Sequence, residues 1–282
     1  MAVVVLVFVL VVVAAIVTAA HSRAVPPRLH SEPRELVRRA LAVVPSGSDR
    51  TALACAIDRL IDTDPRVDVV VVEPSSDGLP SLERLAPRVT VLRPVVACTP
   101  AEALRVGAAR GMLADYDAVI EVSVEHSLLA RNVTALLEAL DDGAHIAVGS
   151  RHVPGSRGLE SGSWRRLASR AANHLLGRLT RVPLHDVTAR IRAYRREAIE
   201  WAVLPAAGQG HTFGVEVLLR CRSAGLRFAE VPVTAAGCRC ATTSLADGRA
   251  MFGRALRWRG AALRGHSLRR LVHPLTAVFT GR

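Results

Sequence analysis

The feature that most constrains the fold of this 282-residue chain is a series of short, continuously apolar segments that alternate with segments of helical periodicity. One of them reads VDVVVVE over residues 67–73, with almost no polar residue at the alternate positions that would face water. A strand of this kind is buried on both faces, as is typical of a parallel sheet covered by helices. The sequence therefore predicts an α/β domain with a mostly parallel sheet and helices on both sides.

The predicted strands and helices follow one another regularly along the chain. Strands are predicted at residues 41–45, 67–73, 89–92, 118–124, 145–149, 189–194 and 227–233. Helices are predicted at residues 49–61, 100–114, 130–140, 163–179, 211–224 and, as a basic amphipathic segment, 251–272. Ligands of such sheets bind where the strands end. In this chain those ends are predicted at residues 45–49, 73–77, 123–126 and 149–151.

The first 20 residues carry no charged side chain. At about 1.5 Å per helical residue this length spans roughly 30 Å, the thickness of one hydrocarbon core. A cleaved signal peptide is the alternative, but such a peptide begins with a basic region and this segment has none. Five arginines lie between residues 21 and 39, which by the positive-inside rule predicts a cytoplasmic main domain. We expect a single-pass protein of the cell membrane, with an anchor at 1–22, a linker at 23–40, the main domain at 41–245 and a basic segment at 246–282.

The charge of the chain is divided unevenly. Residues 1–150 carry 14 Arg and 18 acidic residues, net −4, and residues 151–282 carry 23 Arg and 7 acidic residues, net +16, which together give the total of +12. This asymmetry predicts an anionic partner for the second half, such as a phosphate or an anionic membrane. A nucleic acid is disfavoured because aromatic residues, which stack on bases, make up only 4% of the chain. The basic helix at 251–272 either lies on a membrane surface or packs on the domain.

The cysteines do not form a recognisable framework. There are five of them, an odd number, and their spacing is irregular. We therefore interpret them as reduced thiols and predict no disulfide.

Five stretches, taken in order, carry a resemblance to a known family. They read GSRHVPG (149–155), RRLASRAAN (165–173), DVTARIRAYRR (186–196), HTFGVEVLLR (211–220) and FAEVPV (228–233). The chain resembles the family 2 glycosyltransferases of the GT-A fold, and within them the dolichol- or polyprenol-phosphate mannosyltransferases. The resemblance implies a GT-A, Rossmann-like domain. It also implies transfer of a mannose-type hexose from a nucleotide sugar, such as GDP-mannose, to a polyprenyl phosphate at the cytoplasmic membrane face.

The resemblance assigns an acceptor side to the site. Arginine suits it because the planar guanidinium binds phosphate oxygens in pairs. The residues implied to hold the acceptor phosphate or the departing pyrophosphate are Arg151, Arg165, Ser169 and Arg239. Two further residues, Asp186 and Arg192, are expected to brace the loop and strand that line the site. Glu216 is either an ion-pair partner or a part of the sugar site.

The donor side departs from the family. Where the family has an Asp-x-Asp pair that binds Mg²⁺ or Mn²⁺, this chain has Ser123 and Glu125. His126 is a candidate substitute for the missing ligand, although adjacent side chains on a strand point in opposite directions. The sequence leaves a divalent metal at Glu125 and His126 open, but does not predict a regular site.

Other donor-side positions are also altered. Asp49 and Glu73 are the acidic residues that remain for the nucleotide sugar, with Ser123 beside them, and Arg190-Ile191 replaces the family's Gly-Phe. Two hypotheses follow. The chain is either a hexosyltransferase with an atypical or metal-independent donor site, or a catalytically inactive relative that binds lipid phosphate or a partner enzyme.

Overall fold

A computed structural model describes residues 36–45, 50–73, 88–94, 99–122, 130–157, 163–234 and 245–263. Its centre is a seven-stranded sheet in the order β3-β2-β1-β4-β6-β5-β7. The strands are β1 (Ala40–Pro45), β2 (Val67–Val72), β3 (Val89–Leu92), β4 (Ala118–Glu121), β5 (Ile146–Ser150), β6 (Arg192–Arg195) and β7 (Phe228–Pro232).

The helices fall between the strands, as the sequence predicts. They are α1 (Arg50–Thr63), α2 (Pro100–Leu113), α3 (Ala130–Asp141), α4 (Ser163–Thr180), α5 (Gly210–Ser223) and α6 (Leu245–Leu263). A short helical segment, Arg196–Ala198, continues as a π-helix over Ile199–Val203. The π-helix has no sequence signal that predicts it.

One strand of the sheet runs against the others. β1 pairs in parallel with β2 and β4, and β5 pairs in parallel with β7. β6 lies between β4 and β5 and is antiparallel to both. The start of β6 therefore lies at the same edge as the ends of β4 and β5, and Arg192 is opposite Glu121 on one side and Val148 on the other.

The core has two layers, one on each face of the sheet. On β1, Leu41 and Val43 belong to one buried cluster, while Ala42 and Val44 belong to the other. Since alternate side chains of a strand point to opposite faces, both faces are covered. Burying a Val or Leu side chain contributes about 1.5–3 kcal/mol, which explains why these strands are apolar throughout. The prediction of an α/β sheet with helices on both faces is confirmed.

Helix α2 is set closely against the sheet. It begins at Pro100 because Thr99 accepts a hydrogen bond from the backbone of Glu102, whose carboxylate in turn accepts one from the backbone of Thr99. Gly107 of α2 faces β1, where an added Cβ would lie 2.5 Å from the Cγ atoms of Val43. The missing side chain lets the helix approach the strand.

The sequence predicts membrane-related segments at both ends of the chain. The anchor predicted at 1–22 lies outside the described residues, and no helix among those described is long and apolar enough to cross a bilayer. Helix α6 begins six residues before the helix predicted at 251–272, and residues 264–282 lie outside the described part of the chain. Met251 and Ala255 of α6 are buried in the domain core, so this part of the segment packs on the domain.

Candidate active site

The candidate site lies at the edge of the sheet where the parallel strands end. β2 is followed there by the buried Glu73, and β4 ends with Glu121. β5 is followed by Arg151, and the antiparallel β6 starts with Arg192 at the same edge. The topology thus gathers acidic and basic side chains from four strands, as expected for a ligand site of an α/β sheet.

Arg151 and Asp186 form the central ion pair of this edge. Nε of Arg151 lies 2.7 Å from Oδ2 of Asp186, and Nη2 lies 2.9 Å from Oδ1. The backbone N–H of Arg151 also donates to the carboxylate, and Nη2 donates to Thr188 at 2.9 Å. Burial raises the pKa of Asp186, but the hydrogen bonds and charge of Arg151 outweigh burial and hold this pKa below its ordinary value. The charged pair therefore fixes the guanidinium in one orientation.

Helix α4 places Ser169 and Asn173 beside this pair. The amide of Asn173 donates to Thr188 Oγ1 and accepts from the Thr188 backbone N–H, at 3.2 and 3.1 Å. Nε2 of His152 lies 3.4 Å from Ser169 Oγ and 3.5 Å from Asn173 Nδ2. Burial lowers the pKa of His152 below its ordinary value. The predicted acceptor residues Arg151 and Ser169 thus share one polar cluster, with His152 between them.

The backbone of Arg165 lies in α4, four residues before Ser169. Its side chain, like the whole of Arg239, is outside what the structure describes. The roles that the resemblance gives to Arg165, Ser169 and Arg239 therefore remain predictions.

Glu216 is engaged by protein groups. Its carboxylate accepts from the backbone N–H groups of Ala207 and Gly208, at 3.3 and 2.9 Å, and from Nε of Arg220 at 3.0 Å. Arg254 of α6 forms a further ion pair with it. Burial raises the pKa of Glu216, but these partners hold it below its ordinary value. Its contacts are those of an ion-pair residue, and its role at a sugar remains a prediction.

A cavity of about 60 Å³ is lined by the end of β4, the start of β6, the loop that precedes β6, the first residues of α2 and α5, and Met251 of α6. Its polar lining includes Glu121, Thr188, Arg190 and Arg192. Glu121 accepts a hydrogen bond of 2.7 Å from the hydroxyl of Tyr194, whose pKa is raised well above its ordinary value by burial and by this carboxylate. The sequence identified Arg190 only as a departure from the family. It gave no signal for Glu121 as a cavity residue.

Arg192 is 2% exposed and is held by two backbone carbonyl groups. Nη1 donates to Gly214 and Nη2 donates to Val187, each at 3.0 Å. A Cβ at Gly214 would lie 2.9 Å from Nη1, so glycine is required for this approach. Nε of Arg192 is buried and has no hydrogen-bond partner within the described ranges. The prediction that Asp186 and Arg192 brace the loop and strand is confirmed by these contacts.

The donor-side residues can be tested only in part. Glu73 is 3% exposed at the end of β2, and its N–H donates to Leu92. The other predicted residues, Asp49, Ser123, Glu125 and His126, lie outside the described residues.

The side chains on the nucleotide-sugar side of the site do not fit a divalent metal well. Mg²⁺ and Mn²⁺ prefer carboxylate oxygens, but the sequence has a hydroxyl at Ser123, and the described residues that line the cavity include the guanidinium groups of Arg190 and Arg192. Glu121, the one carboxylate among the described residues that line the cavity, is hydrogen-bonded to Tyr194.

Comparison with known proteins adds relatives of named activity. The chain is 33% identical to the polyprenol monophosphomannose synthase of Mycolicibacterium smegmatis over 205 residues, covering 70% of this chain and 77% of that protein. It is 29% identical to the undecaprenyl-phosphate mannosyltransferase of Micrococcus luteus, covering 70% and 83%. It is also 29% identical to the dolichyl-phosphate hexose transferase of Haloferax volcanii, covering 63% and 72%. No family model matches the chain.

Solved structures show the fold. The glucosyl-3-phosphoglycerate synthase of Mycobacterium tuberculosis, in complex with Mn²⁺, UDP and glucosyl-3-phosphoglycerate, superposes with a TM-score of 0.61 at 16% identity, over 79% of this chain and 80% of that one. A mannosyltransferase of Pyrobaculum calidifontis, in complex with GDP-Man and Mn²⁺, superposes with a TM-score of 0.52 at 16% identity, over 94% and 75%. The sheet order and these likenesses are those of a GT-A domain, and with one third of its aligned residues identical to the mycobacterial synthase the chain belongs to the family of polyprenol-phosphate mannosyltransferases.

Proposed function

We propose that this protein transfers a hexose from a nucleotide sugar to a polyprenyl phosphate at the cytoplasmic face of the cell membrane. The observation that carries the proposal is the Arg151–Asp186 pair at the carboxyl edge of the sheet, in a family with named polyprenyl-phosphate transferases. A mannose-type donor is supported by the names of two relatives, and GDP-mannose is the nucleotide sugar that the family resemblance implies. The apolar segment at 1–20 supports a membrane location.

The chemistry needs positioning more than proton transfer. An oxygen of the polyprenyl phosphate, already anionic, attacks the anomeric carbon of the sugar. The bond from that carbon to the diphosphate oxygen breaks, and the nucleoside diphosphate leaves with the bonding electrons. Arg151 offers a fixed cation to the acceptor phosphate because Asp186 holds its guanidinium in place. Arg165, Ser169 and Arg239 complete the acceptor site by resemblance.

The metal has no step in this mechanism. If a Mg²⁺ or Mn²⁺ ion binds, the residues proposed to hold it are Glu125 and His126, and it would neutralise the leaving diphosphate. The nucleotide sugar is proposed to lie beside Asp49, Glu73 and Ser123, with Glu125 at its reacting end.

A second candidate function is binding without transfer. The hydroxyl at Ser123, in place of a carboxylate, favours a catalytically inactive relative that holds lipid phosphate or a partner enzyme. The acceptor cluster, formed by Arg151, His152, Ser169, Asn173, Asp186 and Thr188, is proposed to bind the lipid phosphate in this second function as well.

The test measures transfer and acceptor binding separately. Purified full-length protein in detergent is incubated with GDP-mannose and a short polyprenyl phosphate, with Mn²⁺ and with EDTA. We expect the glycosylated lipid to form, and Ser169→Ala to raise the KM for the polyprenyl phosphate about two- to tenfold, the effect of one hydrogen bond. Ser223→Ala is the matched control, because its hydroxyl is bonded only to its own helix at Leu219. Absence of product under both conditions, with the lipid phosphate still bound, would favour the second candidate.

A further inference from the structure

The cavity at the end of β4 and the start of β6 lies next to the acceptor cluster. Thr188 lines the cavity and also accepts the hydrogen bond from Arg151, so one residue belongs to both. Glu121 lines its other side and precedes the Ser123–Glu125 pair by two residues in the chain. A group bound in this cavity therefore lies between the acceptor cluster and the strand that leads to the predicted donor residues.

The cavity carries more positive than negative charge. Its charged lining residues are Glu121, Arg190 and Arg192. The carboxylate of Glu121 already accepts the Tyr194 hydroxyl at 2.7 Å. Arg192 is fixed by two carbonyl groups and keeps a buried Nε–H without a partner in the part of the chain described. A buried N–H group of this kind is costly unless a ligand accepts from it.

Arg190 is the second cation of the cavity. It lies two positions before Arg192 and is half-buried, and no hydrogen bond or ion pair joins it to another described residue. A half-buried guanidinium that is not used by the fold is available to an anion. The same chain has a hydroxyl instead of a carboxylate at Ser123. The donor side has therefore lost one negative charge and gained one positive charge.

We infer that Arg190, supported by the buried Arg192, binds the diphosphate of the donor and takes the place of a divalent cation. This inference rests on the proposed function, since it assigns the donor site of that reaction. A divalent cation would neutralise the charge that develops on the leaving diphosphate. A guanidinium neutralises the same charge through paired N–H donors, and it needs no carboxylate ligands.

The experiment measures binding of GDP and of UDP to the full-length protein by calorimetry, at fixed ionic strength, with EDTA and with Mn²⁺. We expect the wild-type protein to bind one of these nucleotides in EDTA, and Mn²⁺ to change its Kd by less than about threefold. Arg190→Ala should weaken this binding in EDTA by about tenfold or more, the usual effect of losing a charge-assisted hydrogen bond. Arg190→Lys keeps the charge but loses the paired donors, so its Kd for the nucleotide should lie between the Kd of the wild type and that of Arg190→Ala.

Two further variants sharpen the test. In the double variant Arg190→Ala/Ser123→Asp, binding should return only when Mn²⁺ is present. Arg59→Ala removes an exposed arginine of α1 and should change nothing. Equal thermal melting of Arg190→Ala and wild type should show that the fold is kept, because Arg190 has no partner within the described residues.

The outcomes separate this inference from the proposed function. Loss of nucleotide binding in EDTA with recovery in Mn²⁺, or no binding under either condition, would overturn the inference, and so would an Arg190→Ala variant that behaves like Arg59→Ala. If one of these occurs while transfer is intact, the proposed function stands. If Arg190-dependent binding occurs without transfer, the inference stands and the proposed function fails. An Arg190→Ala effect on polyprenyl phosphate binding alone would place Arg190 on the acceptor side and overturn its assignment to the donor.

Discussion

Asp186 is a wholly buried carboxylate that forms an ion pair with the guanidinium of Arg151. Asp186→Ala would leave this guanidinium beside a cavity without its counter-charge, and would also remove the acceptor for Thr188. Removing one partner of a buried ion pair typically costs about 3–5 kcal/mol. Because Arg151 is 24% exposed and can be partly solvated, we expect about 3 kcal/mol. Urea unfolding of the purified protein measures this loss.

The matched control for this substitution is Asp115→Asn, because Asp115 has a φ of 59°, a left-handed conformation that asparagine also adopts. Asp115 also pairs with an arginine, Arg196, but its side chain is 93% exposed. Solvent-exposed ion pairs contribute little to stability, so the free energy of unfolding should not change measurably in this variant. Similar losses for the two variants would contradict the central role given to the Asp186 pair.

At the residue scale the sequence predicted membership in the acceptor cluster better than the contacts within it. Arg151 and Ser169 were predicted from motifs, and both lie in one cluster with His152. The pairing of Arg151 with Asp186 joins residues 35 positions apart. Such contacts depend on how the strands are ordered, which no local pattern of residues specifies. The same limit applies to Glu121, whose cavity exists only because β6 lies beside β4.

At the scale of elements, α6 is attached to the domain by an ion pair and by apolar contacts. Arg254 pairs with the buried Glu216, Met251 and Ala255 are buried, and Trp258 lies against the guanidinium of Arg220. Arg254→Ala should destabilise the fold by about 1–2 kcal/mol, because Glu216 keeps Arg220 and two backbone donors. Arg257→Ala, on the exposed side of the same helix, is the control. Equal urea midpoints for both variants would show that the ion pair does not hold α6.

The helices and strands were predicted well where a local sequence pattern determines their ends, and less well where pairing with another strand determines them. Strands β1 to β5 and helices α1 to α5 are found within a few residues of their predicted bounds, since apolar runs and caps are local signals. The strand predicted at 189–194 is displaced to Arg192–Arg195. The reason is that residues 186–189 turn around the Arg151 side chain and Asn173 before pairing begins. The antiparallel direction of β6 had no local signal.

For the whole molecule, a histidine and several buried carboxylates, of which Asp186 is one, couple folding to pH. His152 is partly buried, its Nδ1 is buried and unpartnered within the described ranges, and its Nε2 faces the amide N–H donors of Asn173. Burial therefore favours the neutral ring and lowers its pKa below the unfolded value near 6.5. Asp186 is held ionised by Arg151, so its pKa is also lower in the folded protein than in the unfolded chain.

Both shifts have the same sign, because the unfolded chain binds more protons than the folded protein in each window. The free energy of unfolding should therefore have its highest value above about pH 7. It should fall as the pH drops below about 6.5, where unfolded histidine is protonated, and fall again below about pH 4, where unfolded aspartate is protonated. Urea midpoints measured from pH 8 to pH 3 check both steps. His152→Asn should remove the contribution of His152 to the first step and leave the second. A stability profile that stays level between pH 7 and pH 5 in the wild-type protein would contradict the assignment of a partly buried, neutral His152.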